Sequence, residues 1–320
     1  AAPSPLPPVS FVKTHKTGGS TLANILFRLA APRNLSFISP TTAGVLRWDV
    51  LARMMPPRHQ FDLAAVHQMF NESAVRAYLK PSPFFLTSLR EPVARTDSGF
   101  RFLADVHGSE HYPASWDKRL AVMADDKLMY TNPLARDLGW YGGVDISRLQ
   151  PGDRFTLEND HRGKPISDFV DYIDRTMDLV IINERFDEGL VLLKRKLNLT
   201  LDDMASVRMK VSTSEASAPP TDEQRDLLER EYFSVDKALY KHFTERFRRE
   251  WEEHGGDAKL GGEVAALRAR NEELSRACGQ PYEERERGDD CPDVLVMDGP
   301  EMREYLKGLH IFTNPMESPR

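Results

Sequence analysis

Residues 9–24 read VSFVKTHKTGGSTLAN, and no other stretch narrows the fold as far. Val9, Phe11 and Val12 form a short apolar run that stops at Lys13. Apolar residues resume at Leu22, Ile25, Leu26 and Leu29 with helical spacing. Between them lie Lys13, Thr14, His15, Lys16, Thr17, Gly18, Gly19, Ser20 and Thr21. A strand that turns through glycines into a helix leaves backbone N–H groups free at the helix N-terminus, where the dipole adds partial positive charge. Lys16 adds a full charge, and Thr17, Ser20 and Thr21 add hydroxyls. The pattern predicts a cradle for a phosphate or sulfate. The lysine precedes the glycines, whereas the Walker A pattern places it after them, which counts against an ATP-binding P-loop.

A second stretch, LREPVARTDSGF (89–100), follows the strand-like run PFFLTSLR (83–90). Arg90 ends the strand, Pro92 suits a first helical turn, and Ser98 lies almost two turns further on. Arg95 and Ser98 share a helix face. Arginine offers a planar fork suited to phosphate. FVDYIDRTMDLVIINERFDEGLVLLKRKL (169–197) reads helix, strand, helix. Strands alternating with helices predict an α/β fold with an open parallel sheet flanked by helices. In such sheets ligands bind beyond the carboxyl ends of the strands, where both charged stretches fall.

FDLAAVHQMF (61–70) is a buried strand or a helix entry, and 71–79 is helical. A helical piece is expected near 117–138. Thr221, with Gln224 behind it, is a plausible N-cap for a long helix over about 222–252. The pairs Gly255-Gly256 and Gly261-Gly262 are expected to interrupt it before a last helix over 263–277, whose leucines have core spacing.

Composition excludes several classes. The 320 residues carry a formal net charge of −6, which argues against nucleic-acid binding driven by bulk charge while leaving room for a local basic pocket. No run approaches the roughly 18 apolar residues of a membrane span. Two cysteines, Cys278 and Cys291, cannot build a structural zinc site alone, and no metal-ligand cluster stands out. They would pair in an oxidising compartment and be bystanders in the cytosol. Sequons at Asn34, Asn71 and Asn198 lean towards a secretory lumen.

A lysine–glycine–hydroxyl loop followed by R-[DE]-P-x-x-R-x-x-S resembles the sulfotransferases that use 3′-phosphoadenosine 5′-phosphosulfate (PAPS). FVKTHKTGGSTLANILFR in particular is similar to the galactose 3-O-sulfotransferase family. LVIINERFDEGLVLLKRKL (179–197), LYKHFTERFRRE (239–250) and EVAALRARNEEL (263–274) agree with it. The resemblance implies the P-loop-like open parallel sheet of PAPS sulfotransferases. It implies a Pro-rich linker over 1–8, a catalytic domain over 9–278 and a polar extension over 279–320. It further implies that Lys16, Thr17, Gly18, Gly19, Ser20 and Thr21 hold the 5′-phosphosulfate, with Lys13 assisting, and that Arg90 and Ser98 hold the 3′-phosphate. The acceptor would be a galactose-terminated glycolipid or glycan, with no metal required. Such proteins are Golgi type II membrane proteins, whose anchor would precede Ala1. The chain is most divergent over 31–60 and 101–165, where acceptor contacts are expected.

Sulfuryl transfer needs an in-line hydroxyl attack, neutralisation of the leaving phosphate and removal of a proton. Lys16 is the candidate for the leaving group. His15 is a candidate base, since an adjacent cation favours the neutral imidazole. His67 is the second candidate, as base or acceptor-binding residue. Glu184 reads as a helix-start carboxylate, and Lys241, Arg246, Arg248 and Arg249 as a solvated helix side. Two other classes compete: a P-loop-type kinase or NTPase, which would turn over ATP with magnesium, and a non-catalytic nucleotide- or glycan-binding protein, which would bind the donor and transfer nothing.

Overall fold

The computed structural model describes residues 5–38, 45–46, 48, 51–52, 60–140, 165–210, 212, 217–278 and 291. The linker residues 1–4, much of the middle segment expected to contact acceptor, and the extension beyond 278 apart from Cys291 lie outside the described residues.

A parallel sheet forms the centre, as the alternation of elements predicts. Its strands are β1 (Val9–Val12), β2 (Phe37–Ile38), β3 (Val45–Leu46), β4 (Leu63–Gln68), β5 (Phe84–Leu89) and β6 (Leu179–Ile182). The order is β2-β4-β1-β5-β6, with β3 pairing β4 alone. β1 is central: Val12 aligns with Val66 of β4 on one side and Thr87 of β5 on the other. Every residue of β1 and β6 is buried, as expected when helices cover both faces. FDLAAVHQMF resolves as a strand, and its register brings His67 level with the first residues after β1.

Helix α1 (Gly19–Ala30) packs Leu22, Ile25, Leu26 and Leu29 into the core. α2 (Glu72–Tyr78) starts at Asn71, whose side chain accepts the Ala74 N–H. Asn71 is therefore buried and engaged, while the other sequon asparagines, Asn34 and Asn198, are exposed. α3 (Pro92–His107) begins at Pro92 and runs longer than its apolar spacing suggests. The helical piece near 117–138 is three helices: α4 (Trp116–Asp125), α5 (Lys127–Tyr130) and α6 (Pro133–Asp137). Side chains of Ser115 and Asp126 cap the first two, and Pro133 opens the third after left-handed Asn132.

After α7 (Ile166–Thr176) and β6 come α8 (Phe186–Lys196) and α9 (Leu201–Met204). The long helix expected over 222–252 is two, α10 (Asp222–Glu231) and α11 (Ser234–Glu253). Thr221 and Gln224 form the capping box that the sequence indicates. The break follows from tertiary contacts: Tyr232 C=O accepts the Asn132 N–H, and Asn132 Oδ1 accepts the N–H groups of Val235 and Asp236. Gly255 and Gly256 end α11 with left-handed backbones. Gly261 and Gly262 do not interrupt α12 (Gly256–Cys278), because Leu260, Val264 and Leu267 anchor that turn in the core. Arg246 is no solvated bystander; it donates to Asp174 and to Met177 C=O, whereas Lys241, Arg248 and Arg249 are exposed. Cys278 and Cys291 are joined by a disulfide.

Candidate active site

The carboxyl ends of the four longest strands converge on one cavity of about 340 Å³. β1 delivers the loop 13–18, β4 delivers His67, β5 delivers Arg90, and Asn183 follows β6. Every predicted site residue except Thr17 lines this cavity. Thr17 is fully buried, and its hydroxyl bonds Thr14 Oγ1 and Ser88 Oγ, each at 2.8 Å. The structure thus turns that hydroxyl inward, where it ties the loop to β5 and does not face the anion.

The loop takes its shape from two left-handed residues. Lys16 has φ 64° and Gly18 φ 80°. A lysine in this region is strained unless its surroundings fix it; here its C=O accepts from Arg90, and the neighbouring His15 C=O accepts from Arg95 Nε. A Cβ on Gly18 would lie 2.9 Å from the Phe186 ring and 3.0 Å from Asn183 Nδ2. Gly18→Ala is therefore expected to cost about 1–3 kcal/mol, from backbone strain and contact together. Urea unfolding of the two proteins checks this, and equal midpoints would contradict it.

Charge in the cavity has one sign. Lys13, Lys16, Arg90, Arg101, Arg208 and Lys210 line it, and among the described residues no Asp or Glu does. In a chain of net charge −6 that segregation marks an anion site. Lys16 is pushed down to about 8, first by burial and then by Arg90, Lys210, Arg95 and Arg101. Its ammonium sits 3.9 Å over the Phe102 ring, the nearest compensation for that crowding. Arg90 is held below the ordinary arginine range by burial, with Glu184 acting the other way. The Arg90 Nε is buried and has no hydrogen-bond partner among the described residues, while its Nη1 donates to Lys16 C=O. Glu184 accepts the Glu91 N–H at 3.0 Å across the rim, fastening the start of α3 beside Arg90.

The two histidines form a stacked pair with ring centroids 4.1 Å apart. His15 Nδ1 lies 2.8 Å from Asp137 Oδ2, which also accepts the His15 main-chain N–H at 2.9 Å. Burial opposes the Asp137 charge, yet the His15 contacts hold its carboxyl below the usual range. An ionised Asp137 can only accept, so His15 Nδ1 carries the hydrogen and Nε2 carries the lone pair in the neutral ring. His67 Nδ1 lies 2.8 Å from Lys13 C=O, which likewise fixes the hydrogen on Nδ1. His67 is pushed down to about 3 by burial, then by His15 and Lys13. It stays neutral at any working pH.

Asp137 ends α6, and α6 is locked from its start. Asp236, fully buried on α11, accepts the N–H groups of Leu134 and Ala135 at 3.1 and 2.7 Å. Asn132 returns the favour to the start of α11. Burial pushes Asp236 up to about 7 despite those two donors and Arg95.

Sequence reasoning missed Asp137, Arg101, Phe186 and the segment carrying Arg208, Met209, Lys210 and Ser212. Asp137 has no local signal, since 122 residues separate it from His15. The segment has a weak one: in VRMKV (207–211) basic residues alternate with apolar ones, which puts the cations on one side.

A sequence model of the galactose-3-O-sulfotransferase family matches residues 1–286. The human protein named galactose-3-O-sulfotransferase 2 is 30% identical over 313 residues, covering 95% of this chain and 74% of its own. The galactosylceramide sulfotransferase of Bos taurus is 30% identical over 292 residues, covering 84% and 63%. Human galactose-3-O-sulfotransferase 3 is 28% identical over 289 residues, covering 84% and 63%.

Proposed function

Because this chain belongs to the galactose-3-O-sulfotransferase family, and so is a carbohydrate sulfotransferase, we propose that it moves a sulfuryl group from PAPS to the 3-hydroxyl of a terminal galactose on a glycolipid or glycan. The observation that carries the choice of donor is a cavity whose charged lining, among the described residues, is wholly cationic, with Lys16 from the β1–α1 loop and Arg90 and Ser98 from the chain after β5. Anion-binding groups delivered by two different strands suit a nucleotide phosphorylated at both 5′ and 3′ positions.

PAPS brings an activated sulfuryl group on a phosphate leaving group. The main-chain N–H groups of Gly18 to Thr21 and the Lys16 ammonium would hold its 5′ end, with Lys13 beside them. Arg90 and Ser98 would hold the 3′-phosphate. Lys16 would neutralise charge on the leaving oxygen, an interaction strengthened by its burial. His15 Nε2 would take the proton of the acceptor hydroxyl, with Asp137 stabilising the imidazolium that forms. His67, held neutral, would accept a hydrogen bond from the acceptor and keep the His15 ring in place by stacking. A kinase reading has no observation in its favour.

We place the protein in the Golgi lumen, an oxidising setting that the Cys278–Cys291 disulfide suits. No described helix is long and apolar enough to cross a membrane, and the membrane attachment of the full-length form rests on the family resemblance alone. The test is incubation with labelled PAPS and an array of galactosides, glycolipid and glycan, followed by linkage analysis. Sulfate at galactose O-3 is expected; sulfate only on another sugar or position would overturn the acceptor assignment.

A further inference from the structure

EVAALRARNEEL (263–274) lies far from the cavity in sequence and lines none of it. Its contacts lead there nonetheless. The segment 205–210, between α9 and the linker before α10, belongs to no helix or strand among the described residues. Ala205, Val207 and Met209 are buried, while Arg208 and Lys210 reach the cavity. Backbone groups buried outside a sheet must find partners in side chains. Ala205 C=O accepts from Arg28, the Ser206 N–H donates to Asn271 Oδ1 at 2.8 Å, and the Met209 N–H donates to Thr21 Oγ1 at 3.1 Å. Ala205 and Val207 pack with Leu274 and Cys278 in a small cluster separate from the main core, and Cys291 packs against it. Lys210 sits in the left-handed region at φ 54°, a backbone state that persists only where neighbours impose it.

We propose that Asn271 and the Cys278–Cys291 disulfide are positioning elements of the donor site, holding the 205–210 strap so that Arg208 and Lys210 stay fixed against the bound anion. The inference rests on the reading of the cavity as the donor site. α12 is the wall and the disulfide fastens its far end, so loosening either lets the two cations spread over many positions. Scattered cations contribute less to anion affinity than fixed ones. The acceptor side of the cavity, around His15 and His67, has no contact with the strap among the described hydrogen bonds.

The experiment measures equilibrium binding of adenosine 3′,5′-bisphosphate and steady-state kinetics for Asn271→Leu, Asn271→Asp, the double variant Cys278→Ser with Cys291→Ser, and Arg90→Ala. Asn271→Leu is expected to weaken binding and raise the donor KM about fivefold to tenfold, the scale of one net hydrogen bond. Its kcat and its acceptor KM should stay near wild type. Asn271→Asp keeps an oxygen to accept the Ser206 N–H and should restore affinity. The double cysteine variant, and wild type reduced with a phosphine below its melting temperature, should weaken binding to a similar degree. A lower melting temperature with unchanged donor affinity in Asn271→Leu and the double variant would overturn the proposal. Should those variants not fold, unchanged affinity in reduced wild type does the same. If Arg90→Ala weakens binding and the others do not, only the strap assignment fails. If Arg90→Ala itself binds normally, the donor-site reading fails and the strap assignment with it.

Discussion

Lys16→Met is expected to lower sulfate transfer steeply while leaving the unliganded protein at least as heat-stable as wild type at pH 7. The two effects share one cause. The Lys16 ammonium is half-buried among Arg90, Lys210, Arg95 and Arg101, and is pushed down to about 8 from an ordinary 10.5. The unfolded chain therefore holds that proton more tightly than the folded one. Stability rises with pH between about 8 and 10.5, and below about 8 the folded protein bears the full cost of the charge. Methionine keeps the length and much of the packing of the stem and removes the charge, so the cost disappears. The stability difference between the proteins should shrink as pH climbs through that window. Donor binding reverses the ledger, because anionic oxygens satisfy the cation and raise its proton affinity. Donor affinity should be greatest below pH 8 and fall above it, with proton uptake on binding near pH 9. For catalysis, losing a cation aimed at the leaving oxygen should cost on the order of a hundredfold to a thousandfold or more. Thermal melts at pH 7 and 9.5, calorimetry in two buffers and a transfer assay give the answer. A Lys16→Met protein that transfers normally, or that melts well below wild type at pH 7, would refute the account.

The same residue explains how far the sequence was legible. Lys16, Gly18, Gly19 and Ser20 belong to one strand-turn-helix, so adjacent residues carry the whole signal, and the structure places them together. Arg90 and Ser98 follow the same logic after β5. Thr17 shows the limit of such reading. Composition predicts a hydroxyl for the ligand, but the pleat of the turn sends it to Ser88. Asp137 was invisible, and the 205–210 strap only faintly marked by its alternating basic and apolar residues, because their roles depend on chain far away in sequence. The helix boundaries fail for a related reason. Helical periodicity runs through Tyr232 and Phe233, yet Asn132 captures the peptide groups there and starts a new helix. Gly261 and Gly262 err in the other direction: propensity predicts a break worth about 1 kcal/mol per glycine, and three core contacts outweigh it.

The second large effect separates the two histidines. His15→Asn should lower kcat by about a hundredfold to ten-thousandfold, the range for a lost general base, with donor affinity unchanged. The variant leaves Asp137 satisfied, since the main-chain N–H of residue 15 still donates to it at 2.9 Å. A loss in kcat therefore cannot be charged to an orphaned buried carboxylate. His67→Asn should cost less, because a ring held near 3 by burial and its neighbours is too weak a base to draw a hydroxyl proton efficiently. Asp137→Asn tests the pair from behind. The amide oxygen can still accept from Nδ1–H, so the ring keeps its place, but the counter-charge for the imidazolium is gone. The rate should fall, because the imidazolium that forms no longer faces an ionised carboxylate. If His67→Asn proves the more damaging change at saturating donor, or if Asp137→Asn leaves the rate unchanged, the base is not His15. The proton would then have to leave through His67, against the burial, the His15 ring and the Lys13 charge that keep it neutral.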